Sequence, residues 1–583
     1  MKQRYSLQLG SVVLGLIALI NAAWFLPSPA HRLSDETNVP AVRPPPPAWI
    51  LGPMHAWWAP EAPSAPFINK ILDEYSDHHI PLTVFHFDAW AWETCNNNAQ
   101  LRFDDSLIQR MRKEQIRAVF WIVPLIATQC PEYRDAAAKG YFVRDAQGKT
   151  IVTPPGWWQG EGSWIDFDNP AAVAYWHGLL DPLFARTQGV MGGFYVDDVR
   201  PDLANDSSYF DAFVIDLQSY TRAHVPDSDI VFKRYGVNTA DDTFLSQYAH
   251  VSYVNDFPTD FQGLREGIEH VFSTTALIPA PYNEFTAYDR TDPDAETLIR
   301  RMHWGAFQAV MENAPALAST FPWDPHYPSN VMQLYQYYAT LHWELIPYLH
   351  SYDQMSQETG IAILHDVDAA HDSAMLGDEI FVQYVTDYTR TLAVTLPKGE
   401  WINYWDEQVY TGPVTIQLPV PLGREPVFIA NGAIIPMQVR DSTTAHGTTA
   451  SAGALTVDVY PTIHSSFRYF DPSGARIRFD AWENGGRATL CTDWPPSQPV
   501  IYHIERRSAA PQRVSSLNGA VGVNTPWGTP LPPLTSELMV DGSSGGWFFD
   551  AASRHLYIKQ SQPGSWCPNR RLLRIDRFEL EGD

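Results

Sequence analysis

Residues 192–199 read GGFYVDDV, a short run of aromatic and β-branched residues closed by two carboxylates, Asp197 and Asp198. A run of this kind reads as a buried strand with acidic side chains at its C-terminal end. The arrangement recurs on both sides. PLTVFHFDAW (81–90) sets Asp88 after VFHF, HVSYVN (250–255) is followed by Asp256, and IRAVFWIVPL (116–125) supplies a further strand. Between them, FINKILDEYSDHH (67–79), SLIQRMRKEQ (106–115) and AAVAYWHGLLDPLFA (171–185) carry apolar residues at helical spacing. Strand-then-helix repetition predicts parallel strands joined by crossover helices, in an open doubly wound sheet or a closed barrel. A span of about 300 residues favours the barrel, and no Gly-rich phosphate turn supports the open, dinucleotide-binding alternative.

After about residue 360 the pattern changes to short alternating strands, as in EIFVQYV (379–385), RTLAVTL (390–396), GALTVDVY (453–460) and RHLYIKQ (554–560), with turns rich in Gly, Pro, Asn and Asp. The expected fold is therefore α/β, a (β/α)8 TIM barrel at 49–355 followed by two C-terminal all-β domains. The proximal one is placed at 356–437 and the distal one at 438–583, divided at the polar stretch RDSTTAHGTTASAG (440–453). Ahead of the barrel, Lys2 and Arg4 precede an apolar run from Leu9 to Leu26, with small residues at Ser28-Pro29-Ala30. Residues 1–30 read as a signal peptide or an uncleaved signal anchor, and 31–48, ending in VRPPPPAW, as a Pro-rich linker. Export is expected, to the periplasm, the exterior or a membrane tether. Cys95, Cys130, Cys491 and Cys567 are an even number in an exported chain, which favours disulfides. Three pairings are open; Cys95 with Cys130 and Cys491 with Cys567 keeps each within one domain.

A formal net charge of −26 argues against nucleic acid or another anionic polymer as partner. The 21 Trp residues cluster in loop-like segments such as AWAWET (89–94), PPGWWQG (154–160) and EGSWIDF (161–167), as suits the flat faces of sugars. A single Trp is more often core than ligand contact, so only the group carries weight.

In a parallel barrel the chemistry sits at the C-terminal strand ends, which singles out Asp88, Asp197 and Asp256. Two carboxylates are the minimum for cleaving a glycosidic bond with retention, one as nucleophile and one as acid and then base. GGFYVDDV resembles the nucleophile strand of glycoside hydrolase family 31, in which Gly-Phe-Trp is followed by a hydrophobic residue and the catalytic Asp; Gly193, Phe194, Tyr195, Val196 and Asp197 take those places. NDFPTDFQGLREGI (255–268), aligned back from Gly263-Leu264, resembles the family's acid/base motif and sets Asp256 on the acid/base position, with Asn255 and Phe257 replacing its usual neighbours. IPLTVFHFDAWAW (80–92) is similar to the first-strand segment whose Asp contacts the sugar, and there Asp88 is followed by Trp90 where a second Asp is usual. FWIVPLI, KGYFVRDAQGK, WIDFDNPAAVAYW, RRMHWGAFQAVMEN, LGDEIFV and PLGREPVFIANGAIIPM continue the resemblance in the family's order from about 49 to 437.

The resemblance implies an α-linked carbohydrate substrate, Asp197 and Asp256 as catalytic pair, and Asp88, Trp90, Trp121, Trp164, Asp166, Tyr195 and Arg234 as substrate contacts, with no cofactor and no metal. Three departures imply altered sugar specificity. The β-sandwich that usually precedes the barrel is not seen in the sequence. Glu312, Asn313 and Ala314 stand where the family carries an Arg and a sugar-binding His. The Arg usual before the acid/base strand has no clean counterpart, since Arg234 lies earlier and Ala240 falls near its place. Two other functions fit the same residues: a catalytically weak glycan-binding relative, and a transglycosidase with a sugar acceptor in place of water. A metal-dependent hydrolase built on His86, Asp88, Asp197 and Asp198 fits less well, because adjacent residues of a strand point to opposite faces. His86 is read instead as a hydrogen-bonded barrel residue.

Overall fold

Seven short apolar runs become the strands of one all-parallel sheet: β1 (Met54–Trp57), β2 (Val84–Phe87), β3 (Arg117–Ile122), β4 (Met191–Val196), β5 (Asp229–Phe232), β6 (Val251–Ser252) and β7 (Glu312–Asn313), in the order β7-β1-β2-β3-β4-β5-β6. The structure is a computed structural model that describes residues 47–57, 64–87, 104–156, 160–196, 207–232, 251–252, 257–275, 293–314, 321–359, 362–367, 372–460, 462–483, 487–494, 496–505, 513–516, 529–530, 545–550, 555–560 and 573–576. Helices α1 (Ala65–Asp77), α2 (Asp105–Glu114), α3 (Pro131–Lys139), α4 (Pro170–Arg186), α5 (Ser207–His224), α6 (Phe261–Thr275), α7 (Ala295–Ala306), α8 (Ser329–Glu344) and α9 (Ile346–Thr359) separate or follow the strands. Sequence signals start several of them. Asn169 accepts from Ala171 N ahead of Pro170 in α4, and Asp294 accepts from Glu296 N and Thr297 N in α7.

Register divides the barrel strands into two faces. Ala56, His86, Val119 and Gly193 are partners across β1–β4, and Trp121, Tyr195 and Val231 across β3–β5; the rings of His86 and Tyr195 lie 4.3 Å apart, in the barrel lumen. On the helix-facing side, Phe87 stacks on Phe120 at 5.2 Å and Phe194 meets Phe184 of α4. The phase of β4 is set by a bulge: Ala118 pairs with Met191 but Val119 with Gly193, so two residues of β4 oppose one step of β3. The Gly192-Gly193 pair permits it. Gly193 has φ 155°, and a Cβ on Gly192 would lie 3.0 Å from the Trp49 ring. Because side chains alternate with period two, this bulge decides which residues of β4 face the lumen.

The proximal β domain is a six-stranded antiparallel sheet of β8 (Leu364–Asp366), β9 (Ser373–Leu376), β10 (Ile380–Gln383), β11 (Thr391–Asn403), β12 (Val409–Pro419) and β13 (Val427–Ala430), with its own small core around Phe381, Trp401 and Phe428. The barrel holds it through a buried ion pair. Arg300 of α7 donates to Glu425 Oε1 at 2.8 Å and to Val420 O at 2.8 Å, while Tyr338 of α8 donates to Glu425 Oε2. The distal domain has two sheets, built from β14 (Ile434–Met437), β15 (Leu455–Val459), β16 (His464–Phe470), β17 (Arg476–Glu483), β18 (Arg487–Thr492), β19 (Val500–Ile504), β20 (Arg513–Ser516), β21 (Thr529–Pro530), β22 (Gly545–Asp550), β23 (His555–Gln560) and β24 (Leu573–Asp576). One runs β14-β15-β19-β23-β22 and the other β16-β17-β18-β24-β20-β21.

Helix α9 runs through 355/356 to Thr359, and β14 already pairs with β15, so the change of sheet falls between Ala430 and Ile434, ahead of 437/438. Residues 1–46, with the expected signal and most of the expected linker, lie outside the described residues. Among the described residues no helix is long and apolar enough to cross a membrane.

Candidate active site

The parallel sheet brings the C-terminal ends of β2, β4 and β6 to one edge. Asp88 and Asp197 are the next residues in the chain after Phe87 and Val196, and Asp256 comes four residues after Ser252. Asp88, Trp90, Asp197, Asp256 and Arg234 themselves lie outside the described residues. What is described is the barrel lumen between the strands and the segments next to these residues in the chain.

His86 Nδ1 lies 3.2 Å from Glu312 Oε1, both side chains almost wholly buried, with the Tyr195 ring against the imidazole. Glu312 stands on β7, in register with Met54, and takes the position where the sequence departs from the family. Its neighbour Asn313 faces the helix layer instead, near Tyr75 of α1. There Tyr75 OH bonds His55 Nδ1 at 2.9 Å and Tyr335 OH of α8 at 2.7 Å. Burial pushes His55 down to about 3, so its imidazole is neutral, and pushes both phenols up. This network ties β1 and β7 to α1 and α8, fixing the strand that carries Glu312.

The chain just past Asp256 is pinned at three points. Arg301, buried on α7, donates from Nη2 to Pro258 O at 2.6 Å and to Asp260 O at 3.1 Å. Asp260 Oδ1 accepts from Gly263 N at 3.0 Å and so caps the start of α6. A Cβ on Gly263 would lie 1.8 Å from Pro258 O, which explains why glycine stands there. Asp260, the nearest alternative acid to Asp256, is thus an exposed helix cap.

Three of the expected aromatic contacts lie within the described residues, and all three are buried. Trp121, Trp164 and Tyr195 are 1%, 2% and 0% exposed. Trp164 Nε1 donates to Thr153 Oγ1 at 2.7 Å, within the three-stranded excursion Leu125–Ala127, Thr153–Gly156 and Gly160–Trp164 that follows β3. Asp166 makes a turn: its Oδ1 accepts from Asp168 N at 3.1 Å, and its carbonyl accepts from Asn169 N, leading into α4. Cys130, at the start of α3, is disulfide-bonded; Cys95, its expected partner, lies outside the described residues. Sequence reading did not assign Glu312, Arg301 or Gly263. Of these only the Gly-Leu pair used for alignment carried a signal.

A parallel β/α barrel whose strand ends lead into carboxylates, followed by antiparallel β domains, is the architecture of a TIM-barrel enzyme scaffold. The chain belongs to family 31 of the glycosyl hydrolases: the family's TIM-barrel domain matches residues 43–352 and its C-terminal domain residues 351–435. Among relatives, the isomaltosyltransferase of Sporosarcina globispora is 20% identical over 577 residues, covering 85% of this chain and 50% of the relative. The cycloalternan-forming enzyme of Listeria monocytogenes, solved with a pentasaccharide substrate, superposes with TM-score 0.76 at 18% identity, over 92% of this chain and 55% of that one. A Flavobacterium johnsoniae family 31 dextranase, solved with glucose, gives TM-score 0.77 at 17% identity, over 92% and 71%. At such identities the superpositions show the fold. The chain spans about half the length of the curated relatives that it matches.

Proposed function

We propose that this chain is a retaining α-glycosidase acting on α-linked glucose oligosaccharides, with Asp197 as the nucleophile that carries the glycosyl group and Asp256 as the acid and then the base. One observation carries the reading: β4 sends Gly193 and Tyr195 into the lumen of a family 31 barrel, and Asp197 falls on the same two-residue repeat. Attack by a carboxylate and then by water inverts the anomeric carbon twice, which retains its configuration. The pinned segment 257–260 supports a fixed position for Asp256, as an acid that must meet the leaving oxygen requires. Glu312, Asn313 and Ala314, which stand where the family carries an Arg and a sugar-binding His, are in keeping with altered specificity. Export through residues 1–30 belongs to the same proposal.

A panel of aryl α-glycosides tests it. Wild type should hydrolyse at least one, Asp197→Ala should hydrolyse none, and Asp256→Ala should keep activity only on good leaving groups and gain turnover with azide. Activity undiminished in Asp197→Ala sinks the assignment. A transglycosidase shares this chemistry, and the transferase named among the relatives favours it as second reading. Products longer than the substrate, at the expense of free sugar, identify it.

A further inference from the structure

The distal domain gathers ionisable side chains that the barrel chemistry does not use. A cavity of about 230 Å³ lies where α8, the proximal domain and the distal domain meet, lined among others by Tyr404, Trp405, His446, His503 and Glu505. On its distal wall, β15 and β19 are parallel neighbours with Asp458 and His503 in register, so the two side chains share a face of the sheet. Glu505 is two residues beyond His503 and keeps the same face by strand alternation. The backbone itself therefore converges a carboxylate, an imidazole and a second carboxylate. One ligand atom from each lies within 4.8 Å of the others, and all three residues are buried.

The spacing of one pair is compatible with a shared ion. His503 Nδ1 and Asp458 Oδ1 are 3.3 Å apart. Bonds of 2.0–2.2 Å to a tetrahedral Zn²⁺ put neighbouring ligand atoms about 3.3–3.5 Å apart. Two outer imidazoles orient the carboxylates: His446 Nδ1 lies 2.7 Å from Asp458 Oδ2, and His555 Nε2 lies 2.6 Å from Glu505 Oε2. Such concentrated buried charge is a poor way to stabilise a fold, because desolvation offsets most of the attraction between the pairs. A bound cation gives it a reason.

We propose that Asp458, His503 and Glu505 bind one divalent transition-metal ion of the zinc class, with His446 and His555 as positioning residues and the fourth coordination place turned to the cavity. Two carboxylates supply anionic oxygens, and the imidazole nitrogen favours Zn²⁺ or Co²⁺ over Ca²⁺ or Mg²⁺, which take oxygen donors. The site stands apart from the barrel chemistry, so its test is independent of glycosidase activity.

The full chain, purified without a polyhistidine tag and dialysed against metal-free buffer, is titrated with Zn²⁺ by calorimetry, and its metal content is measured by mass spectrometry. The expected result is one equivalent of Zn²⁺ per chain, a Co²⁺ derivative with the strong visible absorption of a four-coordinate ion, and a melting temperature that falls with EDTA. His446→Gln should weaken binding by about 10–100-fold at unchanged stoichiometry, and Asp458→Asn/Glu505→Gln should abolish both binding and the EDTA effect. Wild type that neither retains nor binds Zn²⁺ or Co²⁺ overturns the proposal, whether or not the variants fold. So does a folded double variant that binds as tightly as wild type, since the ion then sits elsewhere.

Discussion

Replacing Arg300 by Met removes the cation from a site that water does not reach. The side chains of Arg300 and Glu425 are both 0% exposed, and the guanidinium bonds Glu425 Oε1, Val420 O and, at 3.4 Å, Thr389 O. Methionine fills much of the volume but leaves the Glu425 carboxyl to neutral donors, Tyr338 OH, Gly423 N and its own backbone N–H. Breaking a buried pair from one side costs about 3–5 kcal/mol, which for a cooperative unit of roughly 300 residues is a fall of about 5–8 °C in Tm. The loss should depend on pH in a definite direction. Burial holds the Glu425 carboxyl above the usual range and Arg300 pulls it back down. Without Arg300 the folded carboxyl rises further, so the variant binds a proton more readily folded than unfolded. Its deficit is therefore small below the ordinary carboxylate pKa and grows as pH rises through the raised folded value. Arg300→Met/Glu425→Gln removes the orphaned charge and should recover part of the loss at pH 8. The assay is thermal unfolding at pH 5 and pH 8 for wild type, both single variants and the double. A single-variant deficit under about 1 kcal/mol, or one that shrinks as pH rises, refutes the reasoning.

Gly263→Ala should drive the 257–260 segment away from α6, because the new Cβ meets Pro258 O; kcat should fall about 10–100-fold with KM little changed, and kinetics equal to wild type would show that the segment does not position the acid. Burial pushes Glu379 up to about 7, against the pull of Tyr352 and Tyr348. Its folded pKa exceeds the unfolded one, so the stability it contributes is lost as pH rises from about 4.5 to 7; Glu379→Gln should be more stable than wild type at pH 8 by about 2–3 kcal/mol and close to it at pH 5, the reverse order counting against it. Cys130 should be found joined to Cys95 in a nonreduced digest, and recovery of Cys130 linked to another cysteine would exclude the pairing.

Much of the barrel was legible because its strands are apolar runs and its helices start at Asn, Asp or Ser ahead of periodic residues. GGFYVDDV was read as a strand, yet the bulge that fixes its phase was not, since it appears only where Val119 skips Gly192 to meet Gly193. NGAIIPM continues the apolar pattern across the change of sheet, and nothing local marks which sheet β14 joins. His86 reads in sequence as a hydrogen-bonded barrel residue and is so placed. Clustering of tryptophans near turns looks the same whether a ring stacks on sugar or, like Trp164, packs within the excursion after β3. The distal cluster was invisible in sequence, as Asp458, His503 and His555 are dozens of residues apart and meet only through the pairing of β15, β19 and β23.

The central claim is that Asp197 carries the sugar. A 5-fluoro glycosyl fluoride of an accepted α-glycoside, incubated with wild type and followed by peptide mass spectrometry, tests it most directly. Asp197 should carry the fluoroglycosyl mass in a 1:1 adduct, and Asp197→Ala should take up none. A label on any other residue, or NMR of the earliest hydrolysis product showing the inverted anomer, would contradict it.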